Sequence, residues 1–293
     1  MGIGPEVIVK ALKKLPRANV HFTIVSARAA FEKYPLPKDV NFIEVKTKYK
    51  KPSRPAPSKY GGDISYKSLR LAVKLMLQKK YDALVTAPVS KSAWLKAGVK
   101  FMGHTEVLDK YARSGRGATM MFISGPTACA LVSEHYAIKE VSSAITKARI
   151  IKTAENFAEI LPSGANIGVA ALNPHSGDGG KIGREEIEII APALKVLRAR
   201  GFNISGPYPS DELWLKHRAG QLKGIICMYH DQALSGLKLC AKKPAVHITA
   251  GLKFLRVSPA HGTAFDIAGQ NRADAEGMAE ALKFAARAKF PKS

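Results

Sequence analysis

Short, nearly continuous apolar runs alternate along this chain with longer segments of helical period. Residues 21–25, 41–45, 82–86, 119–124, 128–133, 166–172, 224–229 and 245–249 read as strands. Most lack the apolar–polar alternation of a half-exposed sheet, which predicts strands covered on both faces. Helical spacing is clearest over 65–80, 144–161, 184–200 and 273–288, and residues 1–12 begin as an amphipathic helix. The third of these opens with Glu185, Glu186 and Glu188 and closes with Arg198, Arg200 and Gly201, which suits the helix dipole and a glycine stop. Alternating strand and helix predicts an α/β fold with a largely parallel sheet. In such sheets ligands gather beyond the carboxyl ends of the strands, so candidate chemistry is sought there. The stretch 51–62, rich in Pro, Ser, Lys and Gly, reads as a surface loop.

With 293 residues, of which 46% are apolar, the chain has material for one large or two medium domains. Apolar runs stay far short of a membrane span, and the N-terminus has no signal-peptide layout, so a cytoplasmic protein is expected. Cys129, Cys227 and Cys240 are too few and too scattered for a disulfide framework and read as free thiols in a reducing compartment. A formal net charge of +23 favours anionic partners: nucleic acid, an acidic membrane surface or phosphorylated metabolites. The basic residues form no long block or Arg-rich arm, which makes nucleic acid the weaker of these readings.

Three histidines stand just past predicted strands: His135, His175 within the glycine-rich stretch 173–183, and His230 followed by Asp231. Three imidazoles converging there can hold a zinc-like ion with positions open to substrate; three unrelated histidines in loop hydrogen bonds are the plainer alternative. Asp231 is either an orienting or proton-accepting carboxylate or a simple loop cap. Ahead of a helix, His104 and Thr105 can donate to an anion, or Thr105 is only the N-cap. The segment His261, Gly262, Thr263, Ala264, Phe265 and Asp266 has a small-residue centre that lets a ring or ribose approach the backbone.

Taken together these segments resemble the 4-hydroxythreonine-4-phosphate dehydrogenase family of pyridoxal phosphate synthesis. The likeness runs nearly end to end, through residues 2–6, 85–88 with Lys91, 103–106, 131–135, 173–186, 228–232 with Lys238, and 246–269. The last stretch also resembles the nucleotide loop of isocitrate and isopropylmalate dehydrogenases. The resemblance implies two α/β/α domains with a cleft between them, divided approximately as 1–103 plus 253–293 and 104–252. It implies a homodimer with a shared active site, a divalent metal (zinc, magnesium or cobalt) on His135, His175 and His230, and NAD or NADP against His261, Gly262, Thr263, Ala264 and Asp266. Substrate would meet His104, Thr105, Lys238, His247 and Arg256, with Asp231 and Lys238 as catalytic candidates. The family's first strand, with a Gly-Asp/Glu-Pro segment, would precede Met1.

Departures bear on the substrate. His247 stands where the family usually has Asn, the Leu-Pro pair after His135 is absent, and Asn271 replaces a common Gly. Relatives of this build act on D-threonate or D-erythronate 4-phosphate, or on aromatic cis-dihydrodiol carboxylates, and His247 suits a substrate without an amino group. The leading expectation is oxidation of 4-phosphohydroxy-L-threonine to a 2-amino-3-oxo acid that decarboxylates to 3-amino-2-oxopropyl phosphate. A non-catalytic basic protein binding anions or nucleic acid on the same fold is the competing one.

Overall fold

The runs without alternation form strands in the computed structural model, which describes residues 1–16 and 19–288. From the N-terminus come α1 (Gly4–Lys14), β1 (Thr23–Ser26), β2 (Asn41–Glu44), α2 (Lys59–Leu77), β3 (Ala83–Val85), α3 (Lys91–Lys96) and α4 (His104–Ala112). Then follow β4 (Thr119–Ser124), β5 (Thr127–Leu131), α5 (Ile138–Ala144), α6 (Lys147–Ala158) and β6 (Ile167–Ala170). A tight turn (Pro174–Gly180) and a π-helical turn (Glu186–Ile190) lead into α7 (Ala191–Ala199), β7 (Ile204–Tyr208), α8 (Ser210–Arg218), β8 (Gly224–Cys227), α9 (His230–Cys240) and β9 (Val246–Ala250). The chain ends through β10 (Leu255–Pro259) and α10 (Glu276–Arg287).

These elements form two units, Met1–Ala118 with Leu252–Ser293, and Thr119–Gly251. In the first, β1 pairs parallel with β2 and β3 parallel with β10. One helical layer is α2 with α3 and α4; the other is α1 with α10. The first core centres on Trp94, Val107 and Leu108, so α4 belongs to this unit. The chain therefore crosses between units after Ala118, later than a division at 103–104. In the second unit the strand order is β9-β4-β5-β8-β6-β7. β4 runs antiparallel to β9 and β5, and β5, β8, β6 and β7 are mutually parallel. Helices α6 and α7 pack together, as do α8 and α9. Both units are thus α/β, with mainly parallel strands. Cys129 and Cys227 are buried free thiols, and Cys240 is partly exposed. Among the described residues no helix is long and apolar enough to cross a membrane.

Local chemistry explains most boundaries. Pro5 opens α1, with Glu6 in its first turn and Lys13 and Lys14 in its last. Ser58 caps α2 by accepting the Gly61 N–H at 3.2 Å. The helical run at 144–161 divides because Thr146 accepts the Arg149 N–H and caps a new helix, α6. Two strands escape the apolar pattern. β7 contains Gly206 and Pro207, and β10 carries a cation, Arg256, inside a wholly buried strand.

Glu6 ties α1 to the far end of the same unit. Its carboxylate is fully buried. It accepts from Lys10 Nζ and from the Ala273 N–H at 2.8 Å each, and from the Tyr34 hydroxyl at 3.0 Å. Lys10 also donates to the carbonyls of Asn271 and Ala273. Burial alone would raise the Glu6 pKa, but these hydrogen bonds outweigh it and hold the carboxyl below the usual glutamate range. Because the folded value is the lower one, the stabilisation is complete above the unfolded value and fades as pH falls through the folded one. Glu6→Gln is expected to cost about 2–3 kcal/mol at neutral pH in urea denaturation, and to lose less further stability on acidification than the parent.

Candidate functional site

In the second unit the parallel order β5-β8-β6 brings three loops to one edge of the sheet. Leu131 on β5 pairs in register with Cys227 on β8. The strands stay joined past their ends: Val132 N–H donates to the Cys227 carbonyl, and Ser133 N–H and Oγ both donate to the Met228 carbonyl. The next residues on these paths are the ones that hold His135 and His230, whose ring centroids lie 5.4 Å apart at an interplanar angle of 37°. His230 opens α9, and its Nδ1 is 2.8 Å from Asp231 Oδ1. That contact leaves Nε2 of His230 as the nitrogen open to a further partner. Two imidazoles sharing one ion at about 2.0–2.1 Å per bond would have centroids roughly 5 Å apart, so the pair fits a divalent ion.

His175 sits past β6, in a turn of unusual backbone. His175, Ser176 and Asp178 all have positive φ (51°, 54° and 43°), as does Gly177 at 81°. Such conformations cost on the order of 1–3 kcal/mol each outside glycine and persist only where the surroundings enforce them. Backbone bonds from Lys181 to Asp178 and from Ile182 to Gly177 close the turn, and its entry is held by Glu186, only 4% exposed. Its Oε1 accepts the N–H groups of Leu172 and Asn173 at 2.8 Å, and Oε2 accepts Asn173 Nδ2 at 3.0 Å. A Cβ on Gly177 would lie 2.7 Å from Glu186 Oε2, so the loop closes only over glycine there. In the sequence Glu186 reads only as an acidic residue at a helix start. Within one chain His175 does not join His135 and His230: among the described residues no three metal-ligating side chains converge.

In the first unit Arg256 is the chemical centre. It lies on β10 at 2% exposure, and its Nη2 donates to Thr86 Oγ1 at 2.7 Å, just past β3. Burial pushes the guanidinium down to about 9. The hydroxyl is a neutral partner and does not cancel the charge. His104 opens α4 with its ring edge-on to Trp94, centroids 5.9 Å apart. Burial first and the Arg256 charge second hold His104 well below the usual histidine range, so its imidazole is neutral at neutral pH. Thr105 is not the cap of α4. The N-cap is Gly103, with no side-chain hydrogen bond, and Glu106 instead reaches back to the Met102 N–H at 2.8 Å.

The loop after β10 carries His261, Gly262, Thr263, Ala264 and Asp266. It is fastened by Ile3 N–H to the Thr263 carbonyl at 2.9 Å. A side chain on Gly2 would collide with that same carbonyl. His261 Nδ1 lies 3.0 Å from the Gly262 carbonyl, while its Nε2 is buried without a hydrogen-bond partner in the protein. Asp266 is exposed. An orphaned ring nitrogen beside an open small-residue loop fits a polar ligand such as a dinucleotide. In the second unit Lys238 is exposed in the last turn of α9, and His247 on β9 stacks on Phe122 of β4, centroids 5.1 Å apart.

Comparison with known proteins agrees with this architecture. Residues 3–285 match the family described as pyridoxal phosphate biosynthetic protein PdxA. The chain is 36% identical over 308 residues to a 4-hydroxythreonine-4-phosphate dehydrogenase of Sulfurihydrogenibium sp. (strain YO3AOP1), covering 97% of this chain and 94% of that one. It is 35% identical over 322 residues to a provisionally named D-threonate 4-phosphate dehydrogenase of Bradyrhizobium diazoefficiens, covering 98% and 93%. The crystal structure of 4-hydroxythreonine-4-phosphate dehydrogenase from Klebsiella pneumoniae superposes with a TM-score of 0.85 at 29% identity, over 97% of this chain and 95% of that one. With nearly its whole length matched in sequence and in backbone, the chain belongs to the PdxA family of oxidoreductases.

Proposed function

We propose that this chain oxidises 4-phosphohydroxy-L-threonine with NAD or NADP and a divalent metal ion, in the cytoplasm and as a homodimer. The product, a 2-amino-3-oxo acid, loses carbon dioxide to leave 3-amino-2-oxopropyl phosphate for pyridoxal phosphate synthesis. The observation that carries this reading is the His135–His230 pair beyond β5 and β8, with Asp231 fixing one nitrogen of His230. It is supported by the named relatives, which are dehydrogenases of phosphorylated hydroxy acids.

In this reading His135 and His230 hold the ion (zinc, magnesium or cobalt) and a second copy supplies His175. A bound ion would supply Lewis acidity to the substrate hydroxyl, and a bound nicotinamide would supply a hydride acceptor. The chain's own residues bind and orient. Arg256 and Lys238 supply fixed positive charge for phosphate and carboxylate. His104 and Thr105 contact the substrate, and a neutral His104 can accept as well as donate a hydrogen bond. Asp231 keeps the proton of His230 on Nδ1, so that Nε2 faces the ion. His261, Gly262, Thr263, Ala264 and Asp266 receive the cofactor, with Gly262 open to close approach.

His247 favours a second reading, D-threonate or D-erythronate 4-phosphate as substrate. Its ring is held flat against Phe122, where it offers an imidazole to a hydroxyl rather than an amide to an amino group. A panel of phosphorylated hydroxy acids, read by NADH formation with added divalent metal, separates the two. Faster turnover of the threonate phosphates selects the second reading, and no metal-dependent turnover of any member rejects both.

Asp231→Asn is expected to weaken divalent-metal affinity about 10- to 100-fold, measured by metal titration, with thermal stability nearly unchanged because the side chain is 77% exposed. His104 is expected to stay neutral from pH 8 down through 6. As pH falls, the unfolded chain then binds a proton that the folded ring refuses, so this residue erodes stability below the usual histidine value. Nitrogen NMR of labelled histidine checks this; a midpoint near the ordinary value of about 6.5 would contradict the placement of His104 beside Arg256.

A further inference from the structure

In the second unit β8 and β6 part just before the loops that carry the candidate chemistry. Their register runs from Gly224 with Ile167 to Ile226 with Val169 and goes no further. Two residues on, one side chain restores the connection. Gln232, buried in the first turn of α9, accepts the Met228 N–H on Oε1 at 2.7 Å and donates from Nε2 to the Ala171 carbonyl at 2.8 Å. Its amide stands in for a peptide group between strands that have moved apart, because a carboxamide offers a donor and an acceptor on one planar head. Both bonds are buried, so neither partner has water as an alternative. Met228 is used on both sides: its carbonyl accepts Ser133 N–H at 3.0 Å and Ser133 Oγ at 2.7 Å. Ala171 is tied onward, its N–H donating to the Tyr208 carbonyl at 2.7 Å. A line of hydrogen bonds therefore runs through Ser133, Met228, Gln232, Ala171 and Tyr208, across the ends of β5, β8, β6 and β7.

Gln232 is itself held from the other side. Trp214 Nε1 on α8 donates to the Gln232 carbonyl at 2.9 Å. The indole lies against Gly236, one turn further along α9, where an added Cβ would sit 2.1 Å from Trp214 Cε2. Glycine there lets the ring reach the helix backbone. We propose that Gln232 is a positioning residue for the paired histidines. It clamps Met228, two residues before His230, against Ser133, two residues before His135, and so sets the 5.4 Å spacing of the two rings. It touches neither ring. Without the amide, the Met228 N–H and the Ala171 carbonyl lose their partners in a dry interior. The segment 228–231 then shifts to recover hydrogen bonds, and His230 moves with it. A small shift is enough, because a metal site holds its ligand distances within about 0.2 Å. The consequence for an ion rests on the proposed reading of His135 and His230 as its ligands; the clamp does not.

Gln232→Met keeps the side-chain length and removes both hydrogen bonds. In the metal-free protein it is expected to speed amide exchange at Met228 and Ser133 about tenfold beyond any change in the rest of the second unit. Zinc affinity, titrated against a chelating dye, is expected to fall about 10- to 100-fold. Gln232→Glu keeps an acceptor for Met228 and is expected to bind zinc with an affinity between those of the parent and Gln232→Met. Leu197→Ala, fully buried on α7, controls for stability: its Tm falls, yet its zinc affinity stays within about twofold of the parent's. Parental zinc affinity in Gln232→Met, or an equal loss in Leu197→Ala, overturns the assignment. A parent that binds no zinc rejects the metal reading instead. The clamp is then decided by the metal-free exchange, where an unchanged Met228 rate in Gln232→Met overturns it. Should Gln232→Met not fold, Gln232→Asn, too short to span both partners, is read in the same way.

Discussion

A guanidinium held in a buried strand constrains the whole first unit. Arg256 is the second residue of β10 at 2% exposure, and it donates to the neutral hydroxyl of Thr86. Removing such a charge from water costs several kcal/mol, so the fold keeps it only where surrounding structure is rigid and polar groups are at hand. The consequence spreads outward. The charge and the burial together keep His104 unprotonated, and Trp94 fixes the ring edge-on. The result is a positive charge fixed in a strand close to an imidazole that stays neutral.

The second unit solves a different problem, bringing residues far apart in sequence to one place. It does so through strand order. Inserting β8 between β5 and β6 delivers the loops after all three to one edge, because parallel strands share a carboxyl end. His135 and His230 approach because hydrogen bonds continue past the formal strand ends, through Val132 and Ser133. His175 has a left-handed backbone in the turn whose entry, at Leu172 and Asn173, is held by Glu186, a buried carboxylate that collects three donors. The strain stored there is a local cost, offset by charge-assisted hydrogen bonds.

Both units therefore rely on buried ionic groups, Glu6 and Arg256 in one and Glu186 in the other, to position loops that carry the candidate chemistry. The two carboxylates accept mainly from backbone N–H groups, a hydroxyl and a side-chain amide, and Arg256 donates to a hydroxyl. Such hydrogen bonds fix geometry because they are directional, where a salt bridge would tolerate sliding. The net charge of +23 finds no structural account beyond a general attraction for anions.

Eight strands were legible in the sequence because strands covered on both faces need unbroken apolar runs, and the parallel α/β class followed from their alternation with helices. The motif residues, from His104 to Asp266, could be named there because their types and order along the chain resemble a known family. β7 and β10 were not legible: Gly206, Pro207 and Arg256 break the pattern, and only tertiary packing makes those segments strands. Nor could the sequence rank Glu6 and Glu186 above any acidic residue at a helix start. Their importance comes from burial, and burial is a property of the packed chain. What the sequence determined by itself was the set of elements and the inventory of chemical groups, both local in origin. Which histidines meet and which carboxylates lose water were decided by long-range packing, whose partners are unordered along the chain.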